Sequence, residues 1–96
     1  MRLADKVRQN RQRIMEISAR YGAGNVRLIG SVARGDDDEQ SDVDLLVRFE
    51  KGRSLMDQAG LMLELESLLG CKVDVADDRG LRDRVRSRVM REAVAL

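Results

Sequence analysis

Residues Asp42-Val43-Asp44-Leu45-Leu46-Val47-Arg48-Phe49 read as the strongest strand in the chain. In an extended segment successive side chains point to opposite faces. Val43, Leu45, Val47 and Phe49 therefore make one apolar face, while Asp42, Asp44, Leu46 and Arg48 share the other. The two carboxylates project the same way, about 6–7 Å apart at ~3.3 Å per residue. Two neighbouring carboxylates with no cation between them repel. Carboxylate oxygens on a rigid element are what a hard divalent cation such as Mg2+ requires.

The same alternation reaches a third carboxylate. Cys71 to Ala76 reads as a strand with Cys71, Val73 and Val75 on one face and Lys72, Asp74 and Ala76 on the other. If both strands turn their aliphatic faces to one core and lie side by side, Asp74 joins Asp42 and Asp44. Upstream, Gly30-Ser31 follows the short strand Asn25–Ile29 and precedes a possible helical turn, Ser31–Arg34, which Gly35 breaks. A glycine there lets a phosphate approach the backbone, and the amides with the Ser31 hydroxyl offer donors to an anion. A phosphate cradle facing a carboxylate-bound cation suggests metal-assisted phosphoryl or nucleotidyl transfer.

The remaining elements follow from periodicity. Leu3, Val7, Ile14, Ile17 and Tyr21 recur at helical multiples and predict one amphipathic helix ended by Gly22 and Gly24. Ser54, with Asp57 three residues on, caps a helix built on Leu55, Ala59, Met62, Leu63, Leu65 and Leu69 and closed by Gly70. Leu81, Val85, Val89, Ala93 and Leu96 mark a last helix whose other faces carry arginine. The order α-β-(short α)-β-α-β-α predicts an α/β (α+β) fold, a small mixed sheet flanked by helices. With no linker or repeat, residues 1–96 read as a single domain.

Composition narrows the chemistry. The 96 residues contain no histidine, proline or tryptophan and one cysteine. That excludes Ser/His/Asp and Cys/His catalysis, His-containing zinc sites and an internal disulfide. The charged N-terminus lacks the apolar run of a signal peptide, and no stretch approaches a membrane span. A single cysteine fits a reducing cytosol, so a cytoplasmic protein with no membrane partner is expected. The net charge of +1 hides segregation: residues 1–35 carry +6, residues 36–78 carry −9 and residues 79–96 carry +4. Direct nucleic-acid binding is not expected, because only Tyr21 and Phe49 are aromatic and the net charge is near zero. The arginines of the last helix read as a solvated face or a partner surface.

Each motif has an ordinary structural use. Gly-Ser is a common turn dipeptide, Asp-x-Asp can be two solvated side chains, and Asp74 could simply pair with Arg27 or Lys72. Together they are harder to dismiss. Four specified residues at fixed spacing arise by chance in such a chain on the order of once in a thousand. Gly30-Ser31-Val32-Ala33-Arg34-Gly35 followed by Ser41-Asp42-Val43-Asp44-Leu45-Leu46-Val47 resembles the signature of the DNA polymerase β-like nucleotidyltransferase superfamily, specifically its minimal (MNT) branch. The resemblance runs from the Val26 strand to the final helix, and Lys72-Val73-Asp74-Val75 falls where a third carboxylate is expected.

What the resemblance implies is a polymerase β palm-like nucleotidyltransferase fold that binds ATP with Mg2+. It implies that Gly30 and Ser31, with Arg34 beside them, hold the triphosphate. Asp42, Asp44 and Asp74 become the catalytic and metal-binding carboxylates, Asp74 doubling as the base toward an acceptor hydroxyl. Minimal members of this kind commonly act as antitoxins that transfer AMP to a tyrosine hydroxyl of a HEPN-type RNase toxin. Two features depart from the family pattern. The spacer is Asp36-Asp37-Asp38-Glu39-Gln40, an extra −4 beside a site for ATP, and the chain ends at Leu96 with no second domain. The second feature leads one to expect the acceptor surface on another protein. Two alternatives stay open: an antitoxin that acts by contact alone, and a nucleotidyltransferase for a small-molecule hydroxyl.

Overall fold

The structure, a computed structural model, describes residues 2–38 and 40–96. Its first elements are α1 (Leu3–Gln9) and α2 (Arg11–Arg20), where one helix was expected. Asn10 separates them. Its side-chain amide donates to the Lys6 carbonyl at 2.8 Å, alongside its backbone amide, which is shared between the Lys6 and Val7 carbonyls at 3.1 and 3.2 Å. Strand β1 spans Ala23–Ile29, two residues earlier than the sequence predicts. Its pairing with the next strand shifts between Gly24 and Arg27, and Asn25 sits at φ +50°, so the early part of the strand is bulged.

The short α3 (Gly30–Arg34) ends at Gly35, which adopts φ +82°. Strand β2 spans Val43–Phe49, so Asp42 lies just ahead of it. Helix α4 (Leu55–Leu69) begins with the expected cap: the Ser54 hydroxyl accepts from the Met56 amide and Asp57 returns a bond to the Ser54 amide. Strand β3 covers Val73–Asp77, followed by a single 3-10 turn at Asp78–Gly80 and α5 (Asp83–Glu92).

The expected helix to Leu96 is corrected here. α5 ends at Glu92, Ala93 is extended, and Val94–Ala95 form a two-residue strand, β4. β4 pairs antiparallel with β1, Leu28 opposite Val94 and Arg27 opposite Ala95. The Leu96 amide adds a bond to the Val26 carbonyl, and Arg11 binds the Leu96 carbonyl through Nε and Nη2. An open sheet edge offering backbone partners outweighs the weak helical preference of Val94.

The sheet order is β3-β2-β1-β4, with β2 and β3 parallel and the other neighbours antiparallel. The core lies on one face of the sheet. Val7, Ile14 and Ile17 from α1 and α2, and Leu61, Leu65 and Leu69 from α4, bury against Val26, Leu28, Val43, Leu45, Val47, Val73 and Val75. Burying one such side chain is worth about 1.5–3 kcal/mol, which fixes which side of each strand faces inward. The β3 edge is capped by α4: Gln58 donates to the Val75 carbonyl and Glu66 accepts from the Val73 amide. With aliphatic side chains committed to the core, the alternate residues Asp44, Leu46, Arg48, Asp74 and Arg27 occupy the opposite face. No helix is long and apolar enough to cross a membrane among the described residues.

Candidate active site

Register brings the predicted carboxylates together. Asp44 pairs with Asp74 across the parallel β2–β3 ladder and with Ile29 across the antiparallel β1–β2 ladder. The strand end that carries Gly30 therefore lies beside Asp44. Asp42 immediately precedes β2, near enough for its charge to act on Asp44. Asp42 and Asp44 are half-buried and Asp74 is exposed.

Gly30 is required on two counts. Its φ of +76° lies in the left-handed region, and a Cβ built there would run into the Asp44 carboxylate. A glycine here leaves the backbone open to a phosphate, and the Asp44 carboxylate already stands beside it. Asp74, Asp44, Ile29 and Gly30 line one cleft of about 380 Å³ with Leu45, Val75 and Ala76. A second cleft of about 390 Å³ meets it at Ile29 and Gly30 and is lined by Arg34, Arg88, Val89 and Glu92. A cleft of about 740 Å³ lies between Arg2, Leu3, Asp5, the acidic loop at Asp37 and Asp38, Ser41 and Cys71; neither Asp44 nor Asp74 lines it.

The electrostatics single out Asp44. Burial raises its pKa first, and the charges of Asp74 and Asp42 raise it further, while Arg34 pulls the other way. Among the described residues none of the three carboxylates is in a salt bridge. Arg27, the partner that could have neutralised Asp74, is bound to Asp78 at 2.6 Å. Three neighbouring acidic groups, one of them pushed toward its neutral form, make a site that a cation would relieve. As they stand, the described His, Cys, Asp and Glu side chains form no group of three closed enough to grip a metal ion. The donor set nevertheless fits a hard divalent cation: oxygen ligands only, on rigid strands, with their mutual repulsion uncompensated.

Ser31 is half-buried, and its carbonyl accepts from the Gly35 and Asp36 amides. Arg34 is exposed and bridges two acids, Asp36 at 3.2 Å and Glu92 at 3.2 Å. The acidic spacer is partly answered within the fold. Asp36 meets Arg34, Asp37 meets Arg2 at 3.3 Å, and Asp38 accepts from the Gln40 amide and the Ser41 hydroxyl. Glu39 lies outside the described residues. Two features escaped the sequence reading. One is the buried cluster in which Asp78 receives both Arg27 and Arg48; the signal was an arginine alternating with Val26 and Leu28 in a strand. The other is the presence of Arg88 and Glu92 at the Gly30 turn; their i, i+4 spacing on one helix face was the available hint.

The chain has relatives among known proteins. Residues 10–96 match the nucleotidyltransferase domain family. The chain is 39% identical over 79 residues to protein adenylyltransferase MntA of Thermococcus cleftensis, covering 82% of this chain and 80% of that one. A solved structure assigned as a minimal nucleotidyltransferase superposes with a TM-score of 0.89 at 51% identity, covering 100% of this chain and 97% of the other. The fold also recurs in a chain of a toxin–antitoxin crystal structure with AMP-PNP, with a TM-score of 0.76 at 22% identity over 90% of this chain and 71% of that one. The chain belongs to the nucleotidyltransferase family, in its minimal branch, and its class of chemistry is nucleotidyl transfer.

Proposed function

We propose that the protein is a Mg2+- and ATP-dependent adenylyltransferase that serves as an antitoxin, transferring AMP to a tyrosine hydroxyl of a cognate HEPN-type RNase toxin in the cytoplasm. The observation that carries this reading is the registered Asp44–Asp74 pair beside the left-handed Gly30 turn. Kinship with a protein adenylyltransferase, and a shared fold with a chain from a toxin–antitoxin complex, support the choice of acceptor and partner.

In this mechanism the Gly30 backbone, the Ser31 hydroxyl and Arg34 bind the triphosphate of ATP. Asp42, Asp44 and Asp74 would hold Mg2+, which when bound neutralises charge developing on the phosphate oxygens. Asp74, the exposed member of the set, takes the proton of the incoming tyrosine hydroxyl. The tyrosine oxygen bonds to the α-phosphorus, the bond from that phosphorus to the β-phosphate oxygen breaks, and pyrophosphate leaves with the electron pair. The chain contributes little covalent chemistry; positioning and charge neutralisation supply most of the rate.

The test is co-expression with a candidate HEPN-type toxin partner followed by intact-mass measurement of that toxin. Mass increments of whole AMP units, absent with Asp42→Asn and with Asp44→Asn, are expected. A toxin that is inhibited yet unmodified would replace catalysis with neutralisation by contact. The exposed arginines of α5 are the surface that would then be examined first.

A further inference from the structure

Two clefts meet at the Gly30 turn, and the proposed chemistry uses only the acidic one fully. The other is lined by Arg34 of α3 and by Arg88 and Glu92 of α5. Arg34 already has carboxylate partners, Asp36 and Glu92. Arg88 makes no salt bridge and no side-chain hydrogen bond among the described residues. It projects from α5, which is fixed over this region by three contacts. Glu92 binds Arg34, Arg86 donates to the Asp78 carbonyl at 2.7 Å, and Arg27 reaches Met90 Sδ at 3.3 Å. Arg88 is thus an unpartnered guanidinium, among the described residues, lining a cleft that Gly30 also lines.

We propose that Arg88 and Arg34 form a two-armed clamp for the terminal phosphates of a nucleoside triphosphate, with Glu92 holding Arg34 in place when the clamp is empty. The inference rests on the nucleotidyl-transfer reading of the adjoining site and extends it to α5, which the sequence left as a solvated face or a partner surface. The planar guanidinium fork matches phosphate oxygens in pairs, which an ammonium does not. A clamp at the far end of the phosphate chain distinguishes ATP from AMP, because AMP has nothing to place there. It also orients pyrophosphate, the leaving group.

Calorimetric titration of the 96-residue chain with ATP, AMP and inorganic tripolyphosphate in the presence of Mg2+ tests this, using wild type, Arg88→Ala and Arg88→Lys. Arg88→Ala is expected to weaken ATP and tripolyphosphate binding about tenfold, the loss of a charge-assisted contact, and to leave AMP unaffected. Arg88→Lys should recover part of the loss, and the melting temperature of both variants should match wild type because the side chain is exposed. Equal binding of ATP by wild type and Arg88→Ala overturns the clamp, as does an equal loss for ATP and AMP. Tripolyphosphate binding that depends on Arg88 without any ATP binding would keep the clamp and remove the nucleotidyl-transfer reading. ATP binding indifferent to Arg88 would do the reverse.

Discussion

Asp44 and Asp74 stand directly opposite each other on adjacent parallel strands, two carboxylates in register at the same level of the sheet. A like-charged pair placed this way destabilises a sheet. The arrangement is tolerated because the apolar faces of both strands are committed to the core, leaving the aspartates no other side on which to lie. The folding energy of Val43, Leu45, Val73 and Val75 thereby holds the acids together.

Asp44 consequently opposes folding at neutral pH. Its folded pKa is raised, by burial first and then by Asp74 and Asp42. The sign is therefore the reverse of a paired carboxylate: full stability at or below the ordinary value near ~3.9, and loss as pH rises through the raised one. Asp44→Asn should melt higher than wild type at pH 7 without divalent cation, and the gap should close as the buffer is acidified. Added Mg2+ should raise the wild-type melting temperature more than that of the variant. A variant that melts lower than wild type at pH 7 in chelator would count against the repulsion.

Gly30 and Gly35 provide a matched pair of substitutions. Both have positive φ, +76° and +82°, so alanine at either costs about 1–2 kcal/mol of backbone strain. Only at Gly30 does the added Cβ meet the Asp44 carboxylate; at Gly35 nothing lies within 4 Å. Thermal melts should show a loss for both variants, larger for Gly30→Ala because the clash with Asp44 adds to the shared backbone strain. AMP transfer should fall by orders of magnitude in the first and survive in the second. Equal activity in the two would mean that the contact with Asp44 does not matter.

What the sequence disclosed and what it hid divide along locality. β2 was legible because alternation is a property of one extended segment, and its two faces follow without knowledge of neighbours. The Ser54–Asp57 cap and the Gly70 terminator were legible for the same reason. The facing of Asp74 toward Asp44 followed once the strands were assumed adjacent, and the ladder between them supplies that assumption. β4 was hidden because Val94 and Ala95 are strand only by virtue of the β1 edge, far away in sequence. Asn10 was hidden in a helical periodicity that continues on both sides of it. Arg27 was considered only as a possible partner of Asp74; it is buried against Asp78 instead, in a turn that no local pattern announces.

That burial makes Asp78 the residue on which the second face depends. Asp78 is 2% exposed and Arg27 6%, and Arg27 Nη2 lies 2.6 Å from Asp78 Oδ2 with Arg48 Nε at 2.9 Å from Oδ1. Burial works to raise the Asp78 pKa, but the hydrogen bonds from Arg27 and Arg48 overcome it and hold the carboxyl below its ordinary range. A depressed folded pKa contributes stability above the unfolded value and loses it as pH falls through the folded one. Asp78→Ala strands the Arg27 charge in the interior, a loss of about 3–5 kcal/mol. Small domains have only about 5–15 kcal/mol in all, so the variant should be marginally folded at room temperature. Asp78→Asn, which keeps an acceptor for one arginine, should lose less. Urea titrations at pH 7 and pH 3 separate the causes: the deficit of Asp78→Asn should shrink below the ordinary carboxylate value, where proton uptake by the unfolded wild-type chain erodes the advantage of the charged Asp78. A deficit unchanged between the two pH values would assign the effect to shape and not to charge.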